Sequence, residues 1–293
     1  MTPSRSEFLT IRGLRTHVRH WGRPGAPKLF MLHGWMDMSA SFQFVVDALA
    51  RDWHVIAPDW RGFGLTDRAG TDTYWFMDYF ADLDALLDHY APDGAVDLVG
   101  HSMGGNIASV YAGVRPARVA RLVNLEGFGL PETRPEQSPG RIAAWLDELK
   151  NPPAMRPYAS LDEVAARLMK TNPRLAPGRA AFLAGHWSAQ NADGQWEILG
   201  DPAHKMAGPM LYRAAEVLAC WRRITAPVLW VEAEQTDMWR WLGPKEAARA
   251  EVDRRMAEIP NVTAHMVPDA GHMLHHDQPV LVAGLIEEFL GHS

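Results

Sequence analysis

Short runs of consecutive apolar residues alternate along most of the chain with longer segments whose apolar residues recur every three or four positions. That alternation predicts a parallel sheet flanked by helices. Residues 8–11 and 16–21 straddle Gly13 and predict an antiparallel hairpin at a sheet edge. Lys28–Leu32 is a compact buried-strand run that ends at His33-Gly34. A helix is expected to start near Ser39 or Ser41, with Phe42, Val45, Val46 and Leu49 on one face. Residues 53–57 read as the next strand, and Tyr79, Leu83, Leu86 and Leu87 mark a helix. Residues 96–99 form a strand that runs into Gly100-His101-Ser102-Met103-Gly104-Gly105, after which 107–114 is helical and Val119–Leu125 is again a strand. Further strands are expected at 227–231 and Val262–Val267, with a closing helix that starts at Pro279.

Between residues 131 and 221 this rhythm breaks. Prolines at 131, 135, 139, 152, 153, 157, 173 and 177 interrupt a stretch with helical periodicity and no alternating β pattern. It reads as a mostly helical insertion, a cap over a core built from 1–130 and 222–293.

Composition narrows the class without naming a chemistry. The chain has 293 residues, 47% of them hydrophobic and 22% charged, which is ordinary for a globular protein. A formal charge of −6 with only scattered basic pairs gives no general attraction to nucleic acid or anionic membranes. A small-molecule substrate is therefore the expected partner. The single cysteine, Cys220, excludes an intrachain disulfide. With no apolar leader at the start, that points to a reducing, cytoplasmic setting.

The candidate chemistry lies in the turn at Gly100-His101-Ser102-Met103-Gly104. A serine between a strand and a helix, with glycines two residues to either side, can occupy a tight turn that holds its hydroxyl above the sheet. The helix beneath it offers backbone N–H groups to a developing negative charge. Met103 is expected to supply one such amide, and Trp35, after the His33-Gly34 turn, a second. Ala270-Gly271-His272 follows a strand and precedes the last helix, so His272 is the expected base. His275 and His276 are expected to be surface or packing residues. No metal site is expected from them and Asp277, because no second ligand cluster has suitable spacing. Asp59 through Gly64 reads as a rigid structural turn.

The ordered set His33-Gly34, Asp59 through Gly64, Gly100 through Gly105 and Gly271-His272 resembles the α/β-hydrolase superfamily, and within it the helical-capped serine hydrolases. The resemblance covers roughly 8–130 and 222–292. It implies a mostly parallel eight-stranded sheet and a catalytic triad in the chain order Ser, acid, His. In that family the acid usually follows the strand that is here 228–231, which favours Asp237. Some capped members carry it at the end of the preceding strand, which would make it Glu126. Glu232 and Glu234 are further alternatives.

The implied reaction is acyl transfer on Ser102 followed by hydrolysis, with no cofactor required. Serine at this position disfavours the dehalogenase and epoxide-hydrolase chemistries of the superfamily. Those use aspartate there and form an alkyl ester, whereas serine would form an ether. Trp145, Tyr158, Trp187 and Tyr212 of the insertion are the expected substrate contacts, and Arg141, Arg156 and Lys205 are candidates for a substrate carboxylate. A small or medium apolar ester is the expected substrate. Carbon–carbon bond hydrolysis, cofactor-free perhydrolysis or haloperoxidation, and a non-catalytic ligand-binding role remain as alternatives.

Overall fold

The computed structural model describes residues 1–237 and 239–291; Met238, His292 and Ser293 lie outside it. The chain opens with a hairpin, β1 (Ser4–Ile11) and β2 (Leu14–Trp21), whose two-residue loop places Arg12 and Gly13 at φ 46° and 82°. Positive φ at both positions matches the right-handed twist of the flanking strands, so the hairpin closes tightly. There follow β3 (Lys28–Leu32), the short helix α1 (Gln43–Val46), β4 (His54–Pro58), α2 (Phe76–Tyr90), β5 (Val96–His101), α3 (Met103–Val114) and β6 (Val119–Leu125).

The segment expected to be helical contains α4 (Ser138–Lys150), α5 (Leu161–Thr171) and α6 (Pro177–Trp187). It also contains a small antiparallel hairpin, β7 (Ser188–Gln190) and β8 (Trp196–Ile198), that the sequence pattern does not announce. Three residues per strand are too few to display an alternation. The segment's last helix, α7 (Ala214–Trp221), packs against α3, with Leu218 and Trp221 buried in the main core. A Cβ on Gly113 would lie 1.9 Å from the Cys220 carbonyl oxygen, so these two helices touch backbone to backbone. Residues 214–221, at the end of the expected insertion, thus pack into the main core.

The chain finishes with β9 (Val228–Ala233), α8 (Trp239–Leu242), α9 (Lys245–Met256), β10 (Val262–Val267), α10 (Leu274–Asp277) and α11 (Pro279–Gly291). The eight long strands form one sheet in the order β1-β2-β4-β3-β5-β6-β9-β10. Pairing is antiparallel from β1 through β4 and parallel across the rest. Apolar side chains cover both faces: Phe30, Leu98, Ile107 and Trp221 on one, and Met31, Val99, Val123 and Ile286 on the other. Burial on both faces is why the central strands read as continuous apolar runs. No helix among the described residues is long and apolar enough to cross a membrane.

Candidate active site

The turn after β5 is forced by close backbone packing. A Cβ on Gly100 would fall 2.5 Å from the Gly104 carbonyl oxygen, and one on Gly104 would fall 2.1 Å from that of Leu32. Only glycine fits at either place. Ser102, between them, takes φ 51° and ψ −113°, a conformation that costs a non-glycine residue of order 1–3 kcal/mol and persists only where its surroundings impose it. Its amide donates to the Leu125 carbonyl oxygen at 2.8 Å, which ties the turn to the end of β6. Met103 is the first residue of α3, so its amide is among those a helix leaves without an internal partner. Gly34 lies against the same turn: a Cβ there would meet Ser102 Cβ at 3.3 Å, which puts the neighbouring Trp35 at the edge of the site.

Ser102 Oγ donates to His272 Nε2 at 3.0 Å, and His272 Nδ1 donates to Glu126 Oε2 at 3.1 Å. Glu126 is buried, sits at φ 58° directly after β6, and holds its carboxylate with three donors. Besides His272, these are the Ala233 amide, 2.7 Å from Oε1, and the Thr236 hydroxyl, which contacts Oε2. Burial pushes the Glu126 carboxyl above the ordinary range, while His272, Thr236 and the Ala233 amide pull it back. A buried carboxylate with three donors is in turn well suited to orienting an imidazole and stabilising its charged form.

The expectation for Asp237 does not match this geometry. Asp237 Oδ2 is paired with Arg240 at 2.9 Å, within its own turn. Glu232 is engaged by Trp230 and Arg249, and Glu234 accepts from the Asp269 amide at 3.2 Å. The physical reason is the length of β9. It continues through Ala233, so Glu232 belongs to the strand, and pairing of Leu125 with Val231 brings Ala233 and Thr236 onto Glu126.

His33 plays a bracing role beside the site. Its Nδ1 donates to the Gly34 carbonyl at 2.7 Å and its Nε2 accepts from the Trp60 amide at 2.9 Å, which joins the turns after β3 and β4. Asp59, expected to be structural, accepts from His17 Nδ1 at 2.7 Å and from the Ser39 and Leu65 amides at 2.6 and 2.9 Å. Those donors hold its carboxyl far below the usual range despite burial. His275 and His276 are both buried, in agreement with packing rather than surface positions.

A cavity of about 1220 Å³ opens over Ser102 and His272. Tyr158 and Trp187 line it, and Trp187 Nε1 also donates to the Met36 carbonyl at 2.9 Å, fastening the insertion to the loop after β3. Trp145 and Tyr212 are not among its walls. Trp145 Nε1 donates to Thr73 Oγ1 at 2.7 Å, and the Tyr212 carbonyl accepts from Thr133, so both brace the insertion. Arg156 and Lys205 reach the cavity, whereas Arg141 is bound to the Gly208 carbonyl. Trp241 of α8 is a wall residue that periodicity did not single out. Half exposed, it places its ring centroid 5.0 Å from that of His272.

Comparison with known proteins agrees with this architecture. A serine hydrolase-like protein of Danio rerio is 25% identical over 278 residues, covering 92% of this chain and 83% of its own. The 2-(acetamidomethylene)succinate hydrolase of Mesorhizobium japonicum is 26% identical over 286 residues, covering 97% of this chain and 95% of its own. Among solved structures, the thioesterase domain from the curacin biosynthetic pathway superposes with a TM-score of 0.85 at 23% identity, over 97% of this chain and 99% of that one. The sequence profile of the α/β-hydrolase fold matches residues 27–279, and the chain belongs to that family.

Proposed function

We propose that this protein is a serine hydrolase that cleaves a small or medium ester through an acyl-enzyme on Ser102. The observation that carries the reading is the continuous hydrogen-bonded line from Ser102 Oγ through His272 to the buried Glu126, facing a large cavity. His272 takes the hydroxyl proton as Oγ attacks the carbonyl carbon, and the Trp35 and Met103 amides receive the oxyanion. Collapse of the tetrahedral species expels the alcohol, which is protonated by His272. Water then enters, gives its proton to His272, and releases the acid. Glu126 stays ionised throughout and keeps the Nδ1–H tautomer of His272 in place.

The cavity's apolar walls suit a hydrocarbon portion of the substrate. Exposed Arg156 and Lys205 at its rim suit a carboxylate at the far end, and one relative is a 2-(acetamidomethylene)succinate hydrolase. With a panel of aryl esters, we expect turnover to acid and phenol in equal amounts. A succinate half-ester should show a lower KM than its uncharged butyrate analogue, and added salt should narrow the gap. Cleavage of vinylogous diketones with no ester turnover would instead support carbon–carbon bond hydrolysis on the same scaffold.

A further inference from the structure

Beside the nucleophile turn the fold brings together three buried residues: Asp37 of the loop after β3, His101 at the end of β5 and His275 in α10. Each presents one potential ligand atom, and these atoms lie within 4.8 Å of one another. Three polar atoms of the group lack a hydrogen-bond partner among the described residues: Asp37 Oδ2, His101 Nδ1 and His275 Nδ1. Buried polar atoms are nearly always satisfied by protein, water or an ion, so three together call for an explanation.

The bonding of His101 restricts that explanation. Its Nε2 lies 2.8 Å from the His272 carbonyl oxygen. A carbonyl only accepts, so Nε2 carries the proton and Nδ1 presents a bare lone pair. A ring nitrogen that donates to a backbone carbonyl while its other nitrogen stays free is the usual arrangement of a metal-binding histidine. The His275 ring lies 4.2 Å from that of His101, centroid to centroid. Its Nε2 reaches Ser41 Oγ at 3.1 Å and makes only a long 3.8 Å contact with Asp37 Oδ2. Among the described residues no lysine or arginine pairs with the buried Asp37 carboxylate, whose neighbours are histidines.

We propose that Asp37, His101 and His275 bind one divalent transition-metal ion. Two imidazoles and one carboxylate suit zinc, whereas magnesium and calcium prefer all-oxygen shells. Zinc distances of about 2.0–2.2 Å require the three atoms to close by roughly 1 Å, within reach of side-chain rotation. The ion can enter from the cavity, which is lined by Asp37, His101 and the adjacent His276. Once bound, it would fix His101 and, through the His101–His272 hydrogen bond, the backbone of the loop that carries His272.

The test is a titration of chelator-treated full-length protein with Co²⁺, followed by visible absorption and by displacement with Zn²⁺. The expected result is one equivalent bound, with the intense bands of a four- or five-coordinate ion. Asp37→Asn and His275→Gln, each shown to be folded by circular dichroism, should weaken binding by at least ~10–100-fold, the loss typical even for outer partners of a metal site. The surface variant His265→Gln and the triad variant His272→Gln should bind as the native protein does. A weak six-coordinate spectrum of the native protein overturns the proposal without recourse to any variant. So does undiminished binding in folded Asp37→Asn, or loss of binding in His272→Gln, which would move the ion to the triad.

Discussion

Replacing Ser102 with alanine is expected to lower kcat/KM for ester hydrolysis by at least ~10³-fold while leaving the thermal unfolding midpoint close to native. Among the described residues the side chain makes one polar contact, the bond to His272 Nε2, and it does not support the turn. The turn is held by backbone: the Ser102 amide on Leu125, the Asn106 amide on the Ser102 carbonyl, and the close packing of Gly100 and Gly104. Alanine therefore removes the nucleophile and little else. Residual catalysis would come from substrate binding and the oxyanion amides. A variant retaining more than about a tenth of native turnover would place the chemistry elsewhere.

Glu126→Gln should be the second most damaging conservative change, with kcat reduced by roughly 10³–10⁴-fold, as when an orienting carboxylate becomes an amide in serine hydrolases generally. One carboxylate accepts from the Ala233 amide, the Thr236 hydroxyl and His272 Nδ1 at once. Glutamine has a single acceptor oxygen. If that oxygen satisfies the Ala233 side, the amide NH₂ faces His272 and drives its proton to Nε2, the tautomer that cannot accept from Ser102. Asp237→Asn, by contrast, loses only an ion pair to Arg240 on a well-exposed side chain and should change kcat less than about threefold. Steady-state kinetics of the two variants side by side separates the two carboxylates. An inactive Asp237→Asn beside an active Glu126→Gln would reverse the assignment.

The contrast between these carboxylates shows what the sequence could convey. Ser102 and His272 were legible because each follows a strand and precedes a helix with glycine at a fixed offset, and the glycines flanking Ser102 are there for steric reasons that a sequence records directly. Glu126 had no such marker. Its role depends on register: β6 beside β9, with Leu125 paired to Val231, so that the first residue past one strand meets Ala233 and Thr236 from the other. Register between distant strands is not written in local pattern. The same limit applies to the insertion. The helices α4 and α5 were visible in spacing, but whether an aromatic residue faces the cavity or a neighbour was not. Tyr158 and Trp187 face it, while Trp145 turns to Thr73. It applies again to Asp37, His101 and His275, which come from a loop, a strand end and a short helix far apart in the chain and meet through the order of the sheet.

The account rests on Ser102 being activated by His272, and a fluorophosphonate probe reads this most directly. Native protein treated with the probe and digested should carry one phosphonyl adduct, on the peptide containing Ser102, and His272→Ala should label far more slowly. An adduct on another residue, or native protein left unlabelled under conditions that saturate other serine hydrolases, would contradict the account.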